Sequence, residues 1–138
     1  MVKEFEPAKI NVRALRGTSA LLVDDNPFYQ FMGRSMLEKF SMIVTIASNG
    51  IEAIEKLRDR HFNVILMDLQ MPHLGGLDAT RKIRTELKLD IPVIALTGNT
   101  GEGVKEECIS AGMNDYIPKP FTPEVLARKI LSVLKCRS

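Results

Sequence analysis

The chain has 138 residues, room for one hydrophobic core but not for two, and its 45% hydrophobic and 26% charged content excludes a disordered body. The 19 basic and 17 acidic residues leave a formal charge of +2 spread along the chain, without the dense basic stripe that a nucleic-acid backbone would call for. No apolar run approaches the ~18 residues of a membrane span, and the N-terminus, MVKEFEPAKI, lacks the apolar stretch of a secretory leader, so the expectation is a soluble, cytoplasmic protein.

Residues 1–18 carry Pro7, Gly17 and mixed charge without a firm period, and read as an N-terminal arm or interdomain linker; residues 19–138 form the domain. Within it, short β-branched apolar runs alternate with segments of helical period, the pattern of a parallel sheet built from βαβ units. The predicted strands are Ala20 to Asp24, Ile43 to Ala47, Val64 to Asp68, Ile91 to Leu96 and Asp115 to Ile117. Most are nearly continuous apolar runs, as expected of strands covered on both faces. An α/β sandwich follows.

The intervening helices have legible starts. Asn26 before Pro27, and Thr122 before Pro123, each pair an N-cap with a first-turn proline. Asn49 with Glu52 three residues on predicts a capping box. In the last helix Leu126, Ile130, Val133 and Leu134 form one apolar stripe, with Arg128, Lys129 and Lys135 left in water. Gly98, Gly101 and Gly103 lie at or near the start of a helix running to about Ser110. Interior glycine costs ~1 kcal/mol against alanine, so this helix should be the loosest.

In open parallel sheets the site lies outside the carboxyl ends of the strands, and here those ends are polar. The first strand delivers Asp24 and Asp25, the third Asp68, the fourth Thr97, and the fifth leads through YIPKP to Lys119. Converging carboxylates repel: at an effective dielectric near 20, each pair ~4 Å apart costs about 4 kcal/mol. A cation must offset that cost, and oxygen ligands with water suit Mg2+. Lys119 offers a fixed charge and Thr97 a hydroxyl, groups suited to the oxygens of a phosphoryl group in transfer. Singly, each residue has a plain structural role, as helix-cap turn, turn hydroxyl or solvated lysine; it is their joint placement that points to chemistry. Cys108 and Cys136 are far apart and His61 and His73 isolated, so neither a zinc site nor a disulfide is indicated.

With LLVDDN, MDLQMP followed by a glycine-rich turn and DATRKIR, IPVIALTGN and AGMNDYIPKPF in this order and spacing, the chain resembles, over about residues 19 to 136, the receiver (phosphoacceptor) domains of two-component response regulators and hybrid histidine kinases. The resemblance implies a flavodoxin-like (βα)5 sandwich, a parallel five-stranded sheet of order 2-1-3-4-5. It implies that Asp68 accepts a phosphoryl group from a phosphohistidine, on a histidine kinase or histidine phosphotransfer protein. Asp25, Asp68 and the backbone carbonyl of Gln70 match the family's Mg2+ (or Mn2+) ligands, and Asp24 an acidic partner reaching the metal through water. Thr97 and Lys119 match the phosphoryl-binding pair, Tyr116 the aromatic switch, and Gly98 the small residue that keeps the pocket open. The usual interaction face, helix four, strand five and helix five, would present Val104, Lys105, Ile109, Tyr116 and Phe121 and could carry a dimer.

The chain departs from the pattern at Gly75, where many members carry an acidic residue, and a looser loop is expected there. Gln70 and Asn99 occupy positions that influence acyl-phosphate lifetime. ALRGTSALLVDDN, the Gln70-Met71 pair and AGMNDYIPKPF favour the receiver of a hybrid sensor histidine kinase over a free-standing regulator. A Mg2+-dependent aspartyl-phosphate hydrolase is the rival from another class, but such enzymes place an acid/base aspartate two residues past the nucleophile, where this chain has Gln70. A degenerate receiver that only binds partners is disfavoured because every acidic and switch position is filled.

Overall fold

The computed structural model describes residues 11–98 and 101–135. Cys136 and Asn99, and residues 1–10 of the arm, lie outside the described residues. Five strands, β1 (Ser19–Val23), β2 (Ile43–Ala47), β3 (Val64–Asp68), β4 (Val93–Thr97) and β5 (Asp115–Pro118), alternate with α1 (Pro27–Glu38), α2 (Gly50–Asp59), α3 (Gly76–Thr85), α4 (Val104–Ala111) and α5 (Pro123–Lys135). All neighbouring strands pair in parallel, in the order β2-β1-β3-β4-β5. The expected architecture and strand order are therefore observed.

Alternation along the strands divides the core in two. Leu21, Val23, Ile65, Met67, Val93 and Ala95 face α2, α3 and α4 through Leu57, Ile83 and Cys108. Ala20, Leu22, Val64, Leu66, Ile94 and Leu96 face α1 and α5 through Leu37, Leu126 and Ile130. β3 and β4 are buried along their whole length, which is why their sequences read as unbroken apolar runs.

Strand limits shift by one or two residues from the sequence expectation. β1 starts at Ser19 and stops at Val23, so Asp24 is already in the turn, although its N–H still reaches the Ala47 carbonyl at 3.1 Å. β4 starts at Val93 because the preceding Pro92 has no N–H for the ladder, although its carbonyl accepts from Ile65 at 2.9 Å.

The caps form as the side chains suggest. Asn26 accepts from the N–H groups of Phe28 and Tyr29, and Thr122 Oγ1 accepts from Val125 N at 3.2 Å. Asn49 Oδ1 accepts from Glu52 N at 2.9 Å, but Glu52 reaches back to Ser48 N, at 2.8 Å, rather than to the cap residue's own N–H. α4 begins only at Val104, after the glycines; its N-cap, Gly103, has φ +90 and offers no side chain. Lys129, expected in water, instead half-buries its stem and pairs with Asp115 at 2.9 Å.

Within the stretch read as an arm, Val12–Leu15 form a 3-10 turn whose Leu15 is fully buried among Leu37, Met42 and the α5 stripe. The turn before α3 is close-packed rather than loose. A Cβ on Gly76 would collide with the Asp68 carbonyl, and Gly76 N donates to the Leu69 carbonyl at 3.0 Å. Glycine there lets the start of α3 press against the end of β3.

Candidate functional site

Parallel pairing brings the carboxyl ends of β1, β3, β4 and β5 to one edge of the sheet, and the predicted polar residues arrive there together. Asp24, Asp25 and Asp68 each bring a carboxylate oxygen within 4.8 Å of the others. Asp24 is fully buried and Asp68 is 7% exposed, whereas Asp25 stands in water at the mouth. Asp24 is fixed by the turn it starts: its Oδ1 accepts from Asn26 N at 2.9 Å, and its carbonyl accepts from Gln30 Nε2 at 2.6 Å.

Lys119 closes the site from β5. Its Nζ lies 3.0 Å from Asp24 Oδ2 and 3.5 Å from Asp68 Oδ1, with the lysine side chain 12% exposed. Asp24 Oδ2 is sealed from solvent and accepts no well-aligned hydrogen bond, so its contact with the ammonium is an ion pair made off-axis. Lys119 is held from behind by its N–H, which donates to the Thr97 carbonyl at 2.8 Å.

The electrostatics remain unbalanced. Burial, reinforced by the Asp24 charge, pushes the Asp68 carboxyl up from 3.8 to about 6, against the opposing pull of Lys119 and the Gln70 N–H. One ammonium does not offset three clustered carboxylates. An oxygen-only set with a sealed, poorly satisfied carboxylate oxygen is a chemical fit for a hard divalent cation.

The other predicted residues are placed as follows. Gln70 joins the site through its N–H, 3.3 Å from Asp68 Oδ1. Thr97 ends β4, buried, opposite Pro118 in the ladder. Gly98 follows it in the open, and a Cβ there would meet nothing within 4 Å, so packing does not demand glycine. Tyr116 is half-buried on β5, packed against the α2–α4 side of the core, with Lys129 Nζ 5.8 Å from its ring centre. On the α4–β5–α5 face, Val104 and Phe121 are core residues, buried to 6% and 5%, so the face presents Ile109, Lys105 and part of Tyr116 instead. His61 and His73 are both exposed.

Two residues at the site escape sequence reasoning. Gln30 ties the Asp24 carbonyl to Ser48 Oγ, 3.3 Å away. Tyr29 lays its ring 4.2 Å from Lys119 Nζ. Their positions in the first turn after the Asn26 cap, beside the acidic pair, are the only signal in the chain that could have marked them.

Comparison with known proteins agrees with this geometry. The response regulator receiver domain family matches residues 20–131. The autoinducer 2 sensor kinase/phosphatase LuxQ of Vibrio vulnificus is 40% identical over 116 residues, 84% of this chain but 14% of that protein; the chain thus spans about a seventh of this curated relative. The receiver domain of the sensor histidine kinase PA1611 from Pseudomonas aeruginosa, solved with magnesium coordinated in its active-site cleft, is 40% identical with a TM-score of 0.80, covering 86% of this chain and 98% of that one. A chain from the co-crystal structure of the Saccharomyces cerevisiae phosphotransfer protein Ypd1 and the receiver domain of its response regulator Ssk1 is 28% identical with a TM-score of 0.82, covering 89% of this chain and 92% of that one. By fold, by site and by these matches, the chain belongs to the response regulator receiver domain family.

Proposed function

We propose that Asp68 accepts a phosphoryl group from a phosphohistidine and that the resulting acyl phosphate switches the conformation of the domain. The observation that carries this is the position of Lys119 Nζ between Asp24 and Asp68, at the rim of a three-carboxylate cluster. An Asp68 oxygen attacks phosphorus, a P–O bond forms as the P–N bond to the imidazole breaks, and the nitrogen keeps the electron pair. Asp24, Asp25, Asp68 and the Gln70 carbonyl would hold Mg2+ (or Mn2+), which when bound supplies positive charge for the phosphoryl oxygens. Lys119 is placed to follow the charge that spreads onto those oxygens, and such positioning is most of what a protein contributes to phosphoryl transfer.

After transfer, the Thr97 hydroxyl has a new acceptor at the same edge of the sheet. Movement of Thr97 would free space for Tyr116, whose ring packs against the α4 side of the core. Gly98, with open space where a Cβ would point, leaves entry to the pocket unobstructed. The face made by α4, β5 and α5, with Ile109 56% exposed, is the surface on which a partner or a second copy would read the change.

The parent is inferred to be a hybrid sensor histidine kinase, with this domain on its cytoplasmic side. The match to part of a sensor kinase/phosphatase supports that assignment, and a histidine phosphotransfer protein as partner is supported by the Ypd1 and Ssk1 complex. A free-standing regulator is the alternative architecture.

The test is intact mass after incubation with a small phosphodonor and Mg2+, beside the Asp68→Asn variant and an EDTA control. The expected result is a gain of one phosphoryl group that needs the metal and vanishes in the variant. A folded wild type that binds Mg2+ yet takes up nothing overturns the proposal.

A further inference from the structure

Besides the carboxylates of Asp24 and Asp68, the ammonium of Lys119 has a third neighbour, the ring of Tyr29, 4.2 Å from Nζ, a distance at which a desolvated cation is attracted by the ring face. The ring is braced from two directions. Phe28, on the same helix, packs edge-on at 5.4 Å and 74°, and Phe121, two residues past Lys119 and 5% exposed, lies at 5.8 Å and 47°. Tyr29 is thereby wedged between the first turn of α1 and the segment that leads into α5.

A lysine has four rotatable side-chain bonds, and its backbone does not aim its charge. With only Asp24 and Asp68 to steer it, the Lys119 ammonium would settle onto the nearer carboxylate, Asp24 at 3.0 Å. The ring adds a third attraction, and the ammonium is held where Nζ still reaches Asp68, at 3.5 Å. We infer that Tyr29 is a positioning residue for phosphoryl transfer: its ring face holds the Lys119 ammonium over the acceptor carboxylate, coupling α1 to the loop after β5. The kinetic part of this inference rests on the reading of Asp68 as acceptor; the placement of Lys119 does not.

Two measurements separate them. In metal-free protein, the Lys119 εCH2 proton resonances are compared in wild type, Tyr29→Phe and Tyr29→Leu. Initial rates of phosphoryl uptake from a small phosphodonor with Mg2+ are then measured for the same proteins, with and without Lys119→Met. The expected results are an upfield ring-current shift present in wild type and Tyr29→Phe and lost in Tyr29→Leu, and uptake within about twofold of wild type for Tyr29→Phe but about tenfold slower for Tyr29→Leu. In the Lys119→Met background, Tyr29→Leu should cause no further slowing, an outcome that a merely structural role would not produce. Should the leucine variant lose its dispersed spectrum, Tyr29→Met takes its place. Unshifted Lys119 resonances in wild type, or equal slowing by Tyr29→Leu in both backgrounds, would overturn the inference. A wild type that shows the ring-current shift but takes up no phosphoryl group overturns the acceptor assignment and leaves the placement of Lys119 supported.

Discussion

At Asp68, burial and the charge of Asp24 outweigh Lys119 and the Gln70 N–H, so the folded-state value rises from 3.8 to about 6. The folded protein therefore holds this proton more tightly than the unfolded chain. The associated stability is complete below pH 3.8 and is lost as pH rises through about 6, a swing of about 3 kcal/mol for a shift of roughly two units. Urea unfolding in EDTA should show this loss in wild type. The Asp68→Asn variant, which has no such proton to lose, should be the more stable protein at pH 7, and the gap should close near pH 4. Adding Mg2+ nearly closes the gap: at a hundred times its dissociation constant it should stabilise wild type by about 2.7 kcal/mol, with less effect on an Asp25→Asn variant. A wild type whose unfolding midpoint ignores both pH and Mg2+ would contradict this account of the acidic cluster.

Among the elements, α3 is packed on the sheet through Ala79 and Ile83 and tied to its surroundings by the Arg84 side chain. Arg84 donates from Nε to the Gly112 carbonyl at 3.0 Å, from Nη1 to Leu89 and Ile91 carbonyls at 3.0 and 2.8 Å, and from Nη2 to Asn114 Oδ1 at 3.1 Å. Asn114 Oδ1 in turn accepts from Val93 N at 2.9 Å, so the entry to β4 and the end of α4 share one clamp. Arg84→Ala should cost about 2–4 kcal/mol, because it strands partly buried carbonyls, and hydrogen exchange should speed up most in α4, whose eight residues lack a side-chain N-cap and lie between glycines at φ +90 and +105. Exchange that accelerates evenly across all helices would argue against a local clamp. None of this was legible in the sequence, where Arg84 is one basic residue on a polar helix face. What was legible has a local physical cause: the Asn26 and Asn49 caps act within three residues, and the runs of β3 and β4 show their two-sided burial directly. Asp24, Asp68 and Lys119 could be anticipated because the carboxyl end of each strand is a position in the chain as well as in space. The Val12–Leu15 turn could not, since four residues are too few to show a period, nor could Tyr29, whose partner is 90 residues away across the β5 edge.

Over the whole molecule, the sheet edge at β2 is kept from pairing with other chains by modest means. Arg34 Nη2 covers the Val44 carbonyl at 3.3 Å while its Nε pairs with Glu38 at 3.7 Å, a charged guard of the kind that blunts exposed strands. The division of the core by strand alternation has a thermodynamic consequence. Among the described residues the buried side chains fall into two clusters, one on each face of the sheet, so the two halves should behave as separate ledgers of packing energy. Ile83→Val, on the α3 side, and Ile130→Val, on the α5 side, should each cost about 1 kcal/mol, and the double variant should equal their sum within about 0.5 kcal/mol. The sheet would then be a partition across which packing defects do not communicate, and a chain diversifying its α4 side could do so without disturbing the helix that carries Tyr29 on the other.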